Sequence, residues 1–97
     1  DIPKQRNTAC LDIEKLHLPL TLRKVQNGDR FAPFGMRGTK LVSDYLTDRK
    51  VPLVERNRQF VLLSGDDIVW VVGRRLDDRF CITRHTENVL KITKDTI

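Results

Sequence analysis

Two apolar runs, Phe60-Val61-Leu62-Leu63 and Ile68-Val69-Trp70-Val71-Val72, are separated only by Ser64-Gly65-Asp66-Asp67. Turn formers between strand formers predict a β-hairpin. Neither run alternates apolar with polar residues, so both faces of this hairpin must be covered by other parts of the chain. A chain of 97 residues has room for one core and no second. The hairpin is therefore the centre of that core, and Trp70 is its largest single contributor.

The flanking segments supply the cover. Asp1 to Thr8 is polar and without period, and reads as a linker or tail. Residues 9–97 form the domain. Ala9-Cys10-Leu11-Asp12-Ile13 reads as a first strand and Leu20-Thr21-Leu22-Arg23-Lys24-Val25 as a second, with Asn27-Gly28-Asp29 as a turn. Arg30 to Thr39 contains Pro33, Gly35 and Gly38 and cannot be regular. It reads as an ordered loop whose Phe31, Phe34 and Met36 demand burial, with glycines supplying backbone angles other residues resist. Thr39 then caps a helix from about Lys40 to Arg49, with Leu41, Val42, Tyr45 and Leu46 on one face. Val51-Pro52 stops it, and Leu53 to Arg58 forms one further helical turn. Phe80-Cys81-Ile82-Thr83 and Val89-Leu90-Lys91-Ile92 read as later strands.

Composition narrows the class. The chain is 39% hydrophobic and 32% charged, the balance of a folded domain rather than a disordered one. A domain this short buries only roughly 60–65% of its unfolded surface, so its stability margin is small. No apolar run approaches the ~18 residues of a membrane helix. Asp1-Ile2-Pro3-Lys4 has no signal-peptide character, and the absence of an initial Met predicts a piece of a longer chain. Cys10 and Cys81 lie far apart, and Cys81 falls in an apolar run where a buried reduced thiol is expected. No cysteine or histidine has zinc-site spacing. A reducing, cytoplasmic setting follows as the expectation, without a membrane partner.

Catalytic patterns are sparse. There is no P-loop and no G-x-G-x-x-G. Ser64-Gly65-Asp66-Asp67 has a superficial likeness to a pyrophosphate loop but fits the hairpin turn better. His17 and His85 read as surface residues. Asp66-Asp67 and Asp77-Asp78 are adjacent pairs whose side chains point apart, which does not suit paired acid–base work. Asp77 and Asp78 are expected to pair with Arg74, Arg75 or Arg79. The expectation is that the domain has no catalytic residue, metal site or cofactor of its own.

The basic residues carry more. Lys plus Arg is 18 against 13 for Asp plus Glu, a net charge of +5, which makes a polyanion a plausible partner. Arg23, Lys24, Arg30, Arg37 and Lys40 face only Asp29 along the chain, and Arg49, Lys50, Arg56 and Arg58 face only Glu55. Arg74, Arg75, Arg79 and Arg84 face Asp77 and Asp78. Arginine forks match phosphate oxygens. The candidate RNA-contacting set is Arg37, Lys40, Arg49, Lys50, Arg56, Arg58, Arg74 and Arg75. Arg37 and Lys40 flank the expected helix start, where backbone N–H groups favour phosphate. Phe31, Phe34, Phe60, Trp70 and Phe80 all read as core, which points to backbone and shape contacts with structured RNA rather than base stacking.

The ordered run Gly28-Asp29-Arg30-Phe31-Ala32-Pro33-Phe34-Gly35-Met36-Arg37-Gly38-Thr39-Lys40-Leu41-Val42-Ser43-Asp44-Tyr45-Leu46 resembles a block of the tRNA(Ile)-lysidine synthetase family. So do Leu20-Thr21-Leu22-Arg23, Lys50-Val51-Pro52 with Glu55-Arg56, and Val69-Trp70-Val71-Val72-Gly73 with Asp77-Asp78-Arg79-Phe80. The likeness spans about residues 11 to 92 and covers the C-terminal domain only. It departs where the family's double Lys is Thr39-Lys40. The resemblance implies a parent ligase that uses ATP with magnesium and free lysine to convert the wobble cytidine of an isoleucine tRNA with a CAU anticodon to lysidine. It implies an ATP loop in an N-terminal catalytic domain and a tRNA-holding role for this one.

The expected fold is α+β: a single compact domain with a sheet-rich core and one or two short helices. By the same resemblance it is of the type found in the phenylalanyl-tRNA synthetase beta subunit. The leading functional expectation is a non-catalytic tRNA-binding accessory domain. The alternative is a docking or homodimerisation module of the same synthetase with little RNA contact.

Overall fold

The computed structural model describes residues 6–95. At its centre are β5 (Phe60–Ser64) and β6 (Asp67–Val71), the expected hairpin. The strands β2 (Leu20–Lys24) and β7 (Arg75–Leu76) extend it into an antiparallel sheet of order β2-β5-β6-β7. Leu62 lies opposite Trp70, but Leu63 lies opposite Ile68, so Val69 is one residue too many for the ladder. This bulge sends Val69 and Trp70 to the same core cluster, while Ile68 and Val71 enter the other. The unbroken apolar reading of β6 thus has a structural cause: both faces of the strand are covered.

One face carries α1 (Val42–Asp48), which buries Val42, Tyr45 and Leu46 against Phe31, Val51, Val61, Leu63, Ile68 and Val71. The other face carries the antiparallel pair β1 (Thr8–Asp12) and β8 (Val89–Thr93). There Ala9, Leu11 and Leu16 meet Leu62, Val69, Phe80 and Trp70, the last only 3% exposed. A short pair, β3 (Arg30–Phe31) with β4 (Lys40–Leu41), closes the irregular loop, and α2 (Leu53–Arg56) is the further helical turn. The architecture is the α+β, sheet-rich domain that the sequence led us to expect.

Three local expectations are corrected. The helix does not start at Lys40 under a Thr39 cap. Lys40 and Leu41 pair with Phe31 and Arg30, α1 begins at Val42 without a side-chain cap, and the Val42 N–H donates to the Asp29 carbonyl at 2.8 Å. A backbone acceptor across the loop has replaced the cap, and the Thr39 hydroxyl accepts from Arg30 instead. Residues 80–83 are not a strand: Asp77 caps a 3₁₀ turn at Asp78–Phe80, and Cys81 makes a single bridge to Leu11. The loop buries Phe31 but leaves Phe34 51% and Met36 41% exposed. Its order comes from backbone hydrogen bonds rather than from burial of all three side chains.

The strand β1 already includes Thr8, and the Asn7 carbonyl accepts from the Lys94 N–H at 2.7 Å, so the end of the expected tail is joined to the sheet. Its first five residues lie outside the described residues. Cys81 is free and buried, as expected, and so is Cys10.

Candidate nucleic-acid interface

Arg74 ends the turn that leaves β6, its N–H donating to the Val71 carbonyl at 2.9 Å, and Arg75 opens β7 opposite Val71. The Arg74 guanidinium donates from Nε to Gln59 Oε1 at 3.0 Å and reaches Glu55 at 3.6 Å. Gln59 is itself buried, with its amide donating to the Phe60 and Val72 carbonyls, each at 2.8 Å. Arg75 donates from Nη1 to the Phe34 carbonyl at 2.9 Å.

Tyr45, nearly buried on α1, faces the same place. Arg49 sits four residues further on, the spacing that puts two side chains on one helical face. The Arg49 guanidinium lies 5.1 Å from the Tyr45 ring centroid and that of Arg75 lies 5.8 Å from it. An aromatic face attracts both cations and limits their orientations. With Arg6 from the segment before β1, these residues line a concavity of about 250 Å³: Arg6, Tyr45, Arg49, Arg74 and Arg75. Among the described residues no carboxylate lines it, and neither Arg49 nor Arg75 is ion-paired. Four guanidinium groups at one hollow raise the local potential and suit an anion with several oxygens, such as phosphate.

Three of the eight candidate cations, Arg49, Arg74 and Arg75, are therefore brought together. The others are not in this hollow. Lys40 is paired with Asp48. Arg37 is exposed on the loop, and Lys50 is exposed after α1. Arg56 donates to the Val51 carbonyl at 3.1 Å. Arg58 borders an adjoining hollow of about 380 Å³ with Glu55, Phe60 and Lys94, and Arg74 is common to both. The helix start once expected between Arg37 and Lys40 lies beyond them, and its first N–H is already taken.

Sequence reasoning missed Arg6 and Tyr45. Arg6 lies in a segment without pattern, and nothing local marks it. The spacing of Tyr45 and Arg49 was available as a signal, but Tyr45 also belongs to the apolar face of α1. The assignment of the four phenylalanines and Trp70 to the core holds for Phe31, Trp70 and Phe80. It fails for Phe34 and for Phe60, which is 39% exposed.

The remaining polar groups are occupied structurally. Ser64 accepts from the His17 N–H at 2.7 Å, so the hairpin turn is tied to the preceding segment. Asp77 is buried while Asp78 is exposed, so this pair does point apart. Asp77 pairs with Arg79, one of the three arginines expected. Burial, with the nearby Asp78 and Asp77 charges, pushes the Cys81 thiol up to about 11, the behaviour of an unreactive core cysteine. Among the described residues no three His, Cys, Asp or Glu side chains converge as metal ligands. No helix there is long and apolar enough to cross a membrane.

The family model described as the TilS substrate C-terminal domain matches residues 20–92. The chain belongs to that family. It is 52% identical over 89 residues to the tRNA(Ile)-lysidine synthase of Parabacteroides distasonis, covering 92% of this chain and 20% of the relative. It is 48% identical to that of Bacteroides thetaiotaomicron, over 92% of this chain and 21% of the relative. The chain thus spans about a fifth of the length of these curated relatives. The crystal structure of a TILS C-terminal domain superposes with a TM-score of 0.78 at 22% identity, covering 99% of this chain and 77% of that one. This likeness shows the shared fold.

Proposed function

We propose that this domain holds tRNA for lysidine formation carried out elsewhere in the synthase and takes no part in the chemistry itself. The observation that carries the reading is the hollow where Arg49, Arg74 and Arg75 meet Arg6 without a lining carboxylate. Guanidinium groups positioned by Tyr45, Gln59 and the Phe34 carbonyl lose little freedom when they meet phosphate oxygens. The substrate is the isoleucine tRNA with a CAU anticodon. ATP with magnesium and free lysine serve an N-terminal catalytic domain, and the enzyme works in the cytoplasm. The sequence contains no Gly-rich phosphate loop of its own.

The test is binding of that tRNA to the 97-residue chain as salt is raised. The expected result is affinity that falls linearly on logarithmic axes, with a slope reporting the phosphate contacts. No salt-dependent affinity would overturn the reading. It would favour docking or homodimerisation, for which Leu53 and Val54 on α2, 70% and 63% exposed, offer an apolar surface.

A further inference from the structure

Phe34 lies on the loop beside the arginine hollow, and its exposure is not the result of a slack backbone. The Phe34 N–H donates to the Leu76 carbonyl at 2.9 Å and the Met36 N–H to the Pro33 carbonyl at 3.0 Å. The Asp78 N–H donates to the Ala32 carbonyl at 2.7 Å, and the Ala32 N–H to Asp77 at 2.8 Å. The Phe34 carbonyl accepts from Arg75, whose guanidinium also lies against Tyr45 in the wall of the hollow. A large aromatic side chain, half-exposed on a fastened loop, is thus held one hydrogen bond away from a cluster of arginines that no carboxylate among the described residues lines. Phe60, the other exposed aromatic, borders the hollow that contains the Glu55 carboxylate and suits phosphate less well.

We propose that Phe34 and the arginine hollow form one composite site for an unpaired nucleotide of RNA, with its phosphate among Arg49, Arg75 and Arg6 and its base stacked on Phe34. This rests on the tRNA-holding reading and names the element held: an unstacked nucleotide rather than the side of a duplex. Phosphates steer and position the strand, whereas the aromatic face requires a base that has left its stack. Stacking on one aromatic side chain tolerates any base, so the site selects single-stranded character rather than sequence.

The experiment uses the 97-residue chain and three short RNA hairpins with one common stem. The first carries a single-stranded overhang, the second an abasic overhang of equal length, and the third is blunt. The wild-type chain is expected to prefer the base-bearing overhang to the abasic one by about tenfold. Phe34→Ala removes the ring and keeps the carbonyl that Arg75 uses. It is expected to erase that preference while leaving the salt slope and the melting temperature unchanged, and Phe34→Tyr is expected to retain the preference. If Phe34→Ala binds all three RNAs as the wild type does, the proposal is overturned and Phe34 with Met36 becomes a protein-docking patch. Salt-dependent binding without base preference overturns this proposal alone. Absence of RNA binding overturns it together with the tRNA-holding reading.

Discussion

Asp77 Oδ2 accepts the backbone N–H of Ala32 at 2.8 Å, joining two segments 45 residues apart in sequence. The Asp77 carboxylate is wholly buried. Its Oδ1 accepts the Arg79 backbone N–H at 2.8 Å and Nε at 3.0 Å, and its Oδ2 accepts Arg79 Nη2 at 3.0 Å. Those bonds hold the Arg79 guanidinium above its ordinary pKa despite partial burial. One side chain therefore fixes the loop, the 3₁₀ turn and the arginine. Asp77→Ala leaves buried donors without acceptors and is expected to cost roughly 2–4 kcal/mol. Asp77→Asn is expected to be costly as well, because its amide nitrogen must face a donor on one side. Urea denaturation measures both, and a midpoint unchanged from wild type contradicts the role.

Acid should attack the turn after β2. Arg23 forks onto Asp29 with bonds of 2.8 and 3.0 Å, and the Gln26 N–H adds a third at 2.7 Å. The Arg23 hydrogen bond first, then the Gln26 N–H, holds the Asp29 carboxyl below its ordinary value against the opposing effect of burial. The folded state then binds this proton less readily than the unfolded chain. Its contribution is fully present above the unfolded pKa of about 4 and is lost as pH falls through the folded value. The wild type is expected to lose its stability advantage over Asp29→Asn as pH falls below about 4, while the advantage stays constant from about pH 5 to 7. Denaturation curves across that range check the sign, and an advantage that grows on acidification contradicts it.

The parts legible in the sequence were those set by local pattern. The two apolar runs around Ser64-Gly65-Asp66-Asp67 give the hairpin, and Val42, Tyr45 and Leu46 give the buried helix face. What escaped depends on contacts distant in sequence. The Asp29 carbonyl, not Thr39, receives the first helical N–H, which frees Lys40 and Leu41 to pair as a strand. Asp77 caps a 3₁₀ turn at Asp78–Phe80 that takes Phe80 out of the apparent strand at 80–83. The candidate site shows the same limit. Arg49, Arg74 and Arg75 were visible as basic residues, but only the fold sets them around Tyr45 with Arg6, and only the fold leaves Phe34 outside.

Gly35 tests the loop without touching its packing. Its φ is +81°, and a Cβ built there meets nothing within 4 Å. The cost of a side chain is therefore backbone strain alone. Gly35→Asn is expected to be cheap, since Asn tolerates this region, and Gly35→Val to cost about 1–2 kcal/mol. Thermal melts should rank wild type, then Asn, then Val. Equal melting temperatures for all three show that the loop relaxes to another conformation at no cost.

Arg49 and Lys40 separate a cation held ready from one already engaged. Both are long basic side chains near α1, and charge alone ranks them equally. The fold does not: Lys40 is paired with Asp48, whereas Arg49 lies against Tyr45 in a hollow with three other arginines. Bringing phosphate to Lys40 requires breaking an ion pair or placing an anion beside the Asp48 carboxylate. Bringing it to Arg49 relieves repulsion among like charges. Arg49→Gln is therefore expected to lower the slope of log affinity against log salt by roughly 0.7–0.9, the effect of one lost phosphate contact. Lys40→Gln is expected to change that slope by much less. Neither should alter stability by more than about 1 kcal/mol, because both charges are at the surface. Titration of tRNA binding at several salt concentrations gives both slopes. If Lys40→Gln lowers the slope and Arg49→Gln does not, the phosphate contacts lie at the loop and helix start rather than in the arginine hollow.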